Sequence, residues 1–165
     1  MQQNLYFAPP AKNEPVKSYV KGSPEREQVI KAIEGLEVVI VENTDWRSGQ
    51  GRSVATGVAA LPVDVGGAIF LLSDQPMVSV PLLRGIIAAH AHSLYPIVAP
   101  LVDGQRGNPV LFDRVTFADL KGLQGDTGGR ALLARFPVEY VEWHDPSVLL
   151  DIDSLEDYRR AKGST

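Results

Sequence analysis

The feature that most constrains the fold is the alternation of continuous apolar runs with segments of helical pattern. Strand-length apolar runs are predicted at 16–20, 36–42, 67–72, 95–101 and 138–141, and helices at 23–35, 53–61, 81–92, 114–121, 129–135 and from Ser154 onward. Strands without polar alternation are typical of parallel sheets buried on both faces. The sequence therefore predicts an α/β fold with a mostly parallel, Rossmann-like sheet and helices on both faces.

Length and composition narrow the classes of function. The chain has 165 residues with 44% hydrophobic residues, which is enough for one domain with a proper core. Its net charge of -4 argues against general nucleic-acid binding, and its lack of cysteine excludes disulfides and thiolate metal sites. Neither a membrane span nor a signal-peptide pattern is present in the sequence. We expect a cytoplasmic protein without nucleic-acid or membrane partners.

The first fifteen residues differ from the rest of the chain. Residues 1–15 contain three prolines and no hydrophobic period, and "NLYF" is similar to part of a protease-tag remnant. We interpret residues 1–15 as a poorly ordered or replaced N-terminal arm. Residues 16–165 are expected to form one domain.

The segment "LLSDQP" places a carboxylate just after a buried strand. In open α/β sheets, ligands sit beyond the carboxyl ends of the strands. Asp74 lies there, beside Pro76, and could hold Mg²⁺ against a phosphate because that ion prefers hard oxygen ligands. An ordinary turn, or the start of the next helix, explains Asp74 equally well from spacing alone.

Further segments extend this pattern along the chain. They are "ENTDWRSGQGRSVATGVAAL" (42–61), "GQRGNPVLF" (104–112), "QGDTGGRALL" (124–133) and "LLDIDSLEDY" (149–158). Together with "LLSDQP", and in this order, they resemble the molybdenum-cofactor nucleotidyltransferases with a MobA-like NTP transferase domain. The cytidylyltransferase-like branch is the most similar. Each match is weak alone, but their order and spacing over about residues 16–160 make the resemblance specific.

The resemblance implies a fold, a reaction and a set of partners. The fold would be a mononucleotide-binding sheet like that of the nucleotide-diphospho-sugar transferases. The reaction would transfer a nucleoside monophosphate, with CMP favoured, from CTP or another NTP to molybdopterin, with Mg²⁺ as cofactor. A molybdoenzyme or its chaperone would receive the product. No protein nucleophile is needed, because positioning and charge neutralisation carry such a reaction.

The resemblance also implies roles for individual residues. Asp74 and Asp153 would be the catalytic Mg²⁺ ligands, with Asp151 a less favoured alternative to Asp153. The implied substrate-binding residues fall into four groups. Asn43, Trp46, Gly49 and Ser53 would lie on the pterin or metal side, and Gln75 and Pro76 would lie beside Asp74. Arg106 and Asn108 would contact the acceptor, and Asp126, Gly128 and Arg130 would line the pterin end. We predict that these loops form one pocket, with Asp74 on its nucleotide-facing side and Asp126 on its far side.

The sequence departs from the family pattern at several positions. Ser73 replaces a usual glycine, Asn108 a usual histidine and Gly129 a usual alanine. More seriously, the sequence contains no glycine-rich loop with a lysine, the element that would hold the triphosphate and read the base. Further residues before Met1 are the favoured explanation. Substitution of a strand by the arm, or a truncated remnant, remain open.

Two other functions are compatible with the same residues. One is a non-catalytic module that binds the pterin cofactor without the triphosphate loop. The other is a related nucleotidyltransferase with a different phosphate acceptor, such as a sugar phosphate. The nucleotide, the oligomeric state and the recipient enzyme do not follow from the sequence.

Overall fold

The computed structural model describes residues 22–32, 34–154, 156–157 and 159. It divides the chain into two compact units, Met1–Ile40 and Val41–Thr165. The arm at 1–15 and the strand predicted at 16–20 lie outside the described residues. Most of the helix predicted from Ser154 lies there too.

The first unit contains one described helix, α1, at Pro24–Ala32. The Ser23 hydroxyl accepts a hydrogen bond from the Arg26 backbone N–H at 3.3 Å, and proline occupies the first helical position. Gly35, just beyond the helix, has a positive φ of 85° that glycine adopts without strain. The predicted helix and its start are confirmed.

The strand predicted at 36–42 was wrong, because this segment is irregular. Among the described residues it has no strand partner, and its apolar side chains are exposed, up to 85% at Val39. A β-branched composition favours a strand only where a neighbouring strand offers hydrogen bonds and packing.

The second unit contains the sheet. Its helices and strands are α2 (Gln50–Ala59), β1 (Gly67–Phe70), α3 (Val80–Ser93), β2 (Ile97–Val102), β3 (Gln105–Arg106), β4 (Val110–Asp113), α4 (Phe117–Lys121) and β5 (Val138–Glu142). Short 3-10 helices lie at Trp46–Ser48, Arg114–Thr116, Gly129–Ala134 and Pro146–Leu149. The strand order is β1–β4–β2–β3, and β5 also pairs with β2.

The described strands run in mixed directions, not mostly parallel as predicted. Only β2 and β5 pair in parallel, whereas β4 is antiparallel to β1 and β2, and β3 is antiparallel to β2. The reversal occurs at Asp103 and Gly104, whose φ angles of 49° and 80° make a tight turn. The chain then returns as β4 between β1 and β2.

Hydrophobic clusters cover both faces of this sheet. Alternate residues of β2 point to opposite faces, so Ile97 and Ala99 join one cluster while Val98 and Val102 join the other. Helices α2 and α4 pack on the first face and α3 on the second. The α/β class is therefore confirmed. No helix among the described residues is long and apolar enough to cross a membrane.

Candidate functional site

A cavity of about 120 Å³ opens beside the carboxyl end of β1. Part of its lining is apolar, and the rings of Phe70 and Phe112 meet edge to face with centroids 5.2 Å apart. The rest of the lining comes from Gln50, Val54, Leu72, Arg106, Asn108, Val110, Gly128, Gly129, Arg130 and Leu133. The cavity thus combines ring faces with polar groups, as small-molecule sites do.

Two arginines from separate segments line this cavity. Arg106 ends β3, Asn108 follows it, and Arg130 belongs to the 3-10 helix at Gly129–Ala134. Over the described part of the chain, neither arginine forms an ion pair, and Arg106 donates only to the Gly107 carbonyl at 3.4 Å. Unpaired guanidinium groups beside neutral amides favour a ligand that carries an acidic group.

Glycines bring the loop before α2 into direct contact with the loop at 124–128. Gly49 has a φ of 103°, and a methyl group on it would lie 2.2 Å from the Gly125 carbonyl carbon. The Gly51 backbone N–H donates to the Gly125 carbonyl at 2.8 Å. The two loops therefore fit together backbone to backbone, which only glycine at position 49 permits.

The other residues implied in these two loops do not line the cavity. The Asn43 side-chain amide donates to the Ser53 hydroxyl at 2.9 Å, which ties the start of the loop to α2. The Trp46 ring is 60% exposed, with the Arg47 guanidinium 5.2 Å from its centroid. Asp126 is exposed as well.

The acidic residues meet on a second pair of segments. The Asp74 backbone carbonyl accepts from the Ile152 N–H at 2.8 Å, and the Gln75 side-chain amide donates to Asp151 Oδ1 at 2.6 Å. These two hydrogen bonds fasten segment 151–152 to the turn after β1. Asp153, exposed, follows directly on that fastened segment, and Pro76, also exposed, follows Gln75.

Asp74 has a buried carboxylate oxygen, Oδ1, with no hydrogen-bond partner among the described residues. A carboxylate oxygen in that state is a suitable ligand for a hard cation. No group of three or more His, Asp or Glu side chains that could hold a metal occurs in the described ranges. Mg²⁺ requires only one or two carboxylates when phosphates and waters complete its shell, so the site fits Mg²⁺.

Asp145 precedes these acidic residues and has a different role. Hydrogen bonds from the Ser147 side chain and backbone N–H lower the pKa of Asp145. Its carboxylate caps the 3-10 helix at Pro146–Leu149. This helix precedes the segment that carries Asp151 and Asp153.

Sequence reasoning named Arg106, Asn108, Gly128 and Arg130 and missed the other lining residues, among them Gln50, Phe70 and Phe112. Gln50 stands between two glycines in "GQG", a position that indicates a side chain near a close backbone contact. The phenylalanines carried no signal of their own, because apolar residues in a strand are usually core.

The fold and the site define an α/β domain with a cavity beside the end of β1 and with Asp74 in the turn that follows that strand. Residues 15–142 match the model of the family described as "MobA-like NTP transferase domain". The chain belongs to this family, and the resemblance in its motifs is confirmed.

Two curated relatives match part of the chain. It is 36% identical over 118 residues to the purine catabolism protein PucB of Bacillus subtilis (strain 168), an alignment covering 69% of this chain and 56% of PucB. It is 30% identical over 129 residues to nicotine blue oxidoreductase of Paenarthrobacter nicotinovorans, covering 73% of this chain and 63% of that protein. The chain thus spans less than two thirds of the length of either relative.

A solved structure supports the fold over most of the chain. The manganese complex of Rv0371C from Mycobacterium tuberculosis H37Rv is 29% identical to this chain, with a TM-score of 0.67. The similarity covers 84% of this chain and 73% of that one. The prediction of a nucleotide-diphospho-sugar transferase-like fold is confirmed.

Proposed function

We propose that this protein is a cytoplasmic nucleotidyltransferase that transfers CMP from CTP to molybdopterin in the presence of Mg²⁺. The observation that carries the proposal is that Arg106, Asn108 and Arg130 line one cavity. Arginine pairs with phosphate through two parallel hydrogen bonds and also stacks on flat rings. Molybdopterin offers both a phosphate and a flat ring system.

The acidic residues supply the metal site in this proposal. Asp74, together with Asp153 on the segment fastened to the turn of Asp74, would hold Mg²⁺, which when bound neutralises charge on the triphosphate. The buried, unpartnered oxygen of Asp74 supports this role. The manganese complex of a similar protein supports a divalent ion in the fold.

The remaining residues position the reactants. An oxygen of the acceptor phosphate attacks the α-phosphorus of CTP, a new phosphoanhydride bond forms, and pyrophosphate leaves. Arg106 and Arg130 hold the acceptor phosphate in line for this attack. The product would then pass to a molybdoenzyme or its chaperone.

A binding module is the second candidate function. The sequence has the arginine-lined cavity but no glycine-rich loop for the triphosphate. Such a chain would hold the pterin without transferring a nucleotide. The curated relatives carry names that describe purine catabolism and an oxidoreductase, so the acceptor must be identified directly.

The test is an assay with radiolabelled CTP, molybdopterin and Mg²⁺, with CTP at millimolar concentration because weak triphosphate binding is expected. We expect a cytidine dinucleotide of molybdopterin and released pyrophosphate. Asp74→Asn keeps the shape but loses the charge, so turnover should fall roughly 100-fold or more. Asp64→Asn, an exposed carboxylate in another turn, is the matched control and should leave turnover unchanged.

Each contradictory outcome has a distinct meaning. Molybdopterin binding without product would support the binding module instead of the enzyme. Transfer of CMP to another phosphate compound, but not to molybdopterin, would overturn the assignment of molybdopterin as the acceptor. Full turnover in folded Asp74→Asn would overturn the metal assignment.

A further inference from the structure

Gln50 places a free carboxamide at the cavity. It is the first residue of α2, and its side chain lies against Gly128, where a methyl group would be 2.6 Å from Gln50 Oε1. Gln50 is an exposed residue, and among the described residues its side-chain amide has no hydrogen-bond partner in the protein. A side chain confined by a backbone contact, with both its donor and its acceptor unused, is available to a ligand.

The chemistry of the lining makes the acceptor atom of Gln50 important. Arg106 and Arg130 only donate hydrogen bonds, so they cannot receive an N–H group from a ligand. The side-chain acceptors in the lining are the carboxamide oxygens of Gln50 and Asn108. A carboxamide can donate and accept side by side, which matches the N–H and C=O edge of a lactam ring.

The size of the cavity limits what can enter it. An apolar cavity of about 150 Å³ holds a benzene ring. The cavity of about 120 Å³ is somewhat smaller, so it accepts at most one ring-sized part of a ligand, with the remainder extending outward. Phe70 and Phe112 supply apolar surface to the lining, and the arginines supply cations for an acidic substituent.

We propose that Gln50 is a specificity-determining residue whose carboxamide reads the lactam edge of a flat heterocycle in this cavity. The inference rests on the proposed function in placing the acceptor there. It adds the residue that selects the lactam edge of that acceptor.

Gly128 provides an independent way to move the Gln50 amide. Its φ of -78° and ψ of -176° are accessible to any residue, so alanine introduces no backbone strain there. Its new methyl group would instead meet the flexible end of Gln50. Gly128→Ala is therefore expected to displace the carboxamide while leaving the fold intact.

The experiment compares two probes by titration calorimetry. Pterin-6-carboxylate has a flat ring, an acidic group and a lactam edge, whereas 2-naphthoate has only the flat ring and the acidic group. Gln50→Met keeps the side-chain length but removes the carboxamide. We expect Gln50→Met to lower the affinity for pterin-6-carboxylate roughly 10-fold. The affinity for 2-naphthoate should stay within about twofold of the wild-type value.

The Gly128 variant completes a double-mutant cycle. Gly128→Ala should lower the affinity for pterin-6-carboxylate as Gln50→Met does. The double variant should lose no more of this affinity than either single variant does. Additive losses, equal losses for both probes, unchanged affinities or a wild type that binds neither probe would overturn the inference. Probe selectivity without any nucleotidyl transfer would overturn the proposed function and leave the inference standing.

Discussion

Gly49 and Gly57 lie eight residues apart, but their surroundings demand glycine only at the first. Gly49 combines a positive φ with the close approach of Gly125, whereas at Gly57, inside α2, an added methyl group would meet nothing within 4 Å. The need for glycine at position 49 thus comes from a loop more than seventy residues away. The resemblance marked this glycine, but its physical reason required the folded backbone.

Gly49→Ala is expected to lower the free energy of unfolding by about 2–4 kcal/mol, because it adds backbone strain and a collision with Gly125. Urea denaturation measures this change. The matched control, Gly57→Ala, should be neutral or stabilise by about 0.5–1 kcal/mol, since alanine is the better helix former. Equal stabilities of the two variants would contradict the tight loop junction.

Some residues of the candidate site could be predicted from the sequence and others could not. Arg106, Asn108 and Arg130 were identified through the resemblance, and they line one cavity. Gln50 matches no residue of the family motifs, and only its contact with Gly128 in the folded chain places it at the cavity. The link between Gln75 and Asp151 spans 76 residues, and no local pattern could predict it.

At the scale of elements, the turn after β1 and the segment after the last 3-10 helix act as one unit. The Gln75–Asp151 hydrogen bond and the Ile152–Asp74 backbone bond hold them together. Asp151 is exposed, so this side-chain hydrogen bond contributes about 0.5–1.5 kcal/mol. This attachment holds segment 151–152 in place, and Asp153 is the next residue in the chain.

Gln75→Met should therefore loosen segment 151–152 without unfolding the sheet. We expect faster hydrogen exchange at the Ile152 amide, which donates to the Asp74 carbonyl. The Leu150 amide, bonded to Ser147 within its own turn, is the internal control and should keep its protection. Unaltered exchange at Ile152 would show that Gln75 does not hold the segment.

Elements were predictable where their signal was local. The start of α1 was predicted at Ser23, whose hydroxyl accepts from the first turn. Ser79 caps α3 in the same way, although the helix was predicted only from residue 81. The hairpin between β2 and β3 was missed although Asp103-Gly104 is a recognised turn signal. Residues 104–112 were interpreted as a loop, which hid β4 and led to a mostly parallel sheet.

At the scale of the whole molecule, apolar runs alternating with helices were sufficient for the α/β class. They were not sufficient for strand direction, because a four-residue buried strand looks the same in either orientation. The family followed from the order of several motifs, and the match over residues 15–142 confirms it. The substrates depend on side-chain arrangement, which only the folded chain provides.

The 165 residues contain no glycine-rich loop with a lysine, and this leads to a prediction for this chain. Without the backbone N–H cradle and its lysine, we expect CTP and GTP to bind only weakly, with Kd values on the order of millimolar. Titration calorimetry with Mg²⁺ present measures this. Micromolar binding by this chain would show that another segment takes over the role of the loop.

The central claim is that the cavity beside β1 binds the acceptor, and the most direct test is molybdopterin affinity in Arg106→Ala. Removing one charge-assisted contact should lower the affinity for molybdopterin roughly 10- to 100-fold, equivalent to about 1.5–3 kcal/mol of binding free energy. The affinity for CTP should not change. Arg84→Ala, an arginine on α3 outside the cavity lining, is the matched control. Molybdopterin affinity that is the same in wild type, Arg106→Ala and Arg84→Ala would contradict the claim.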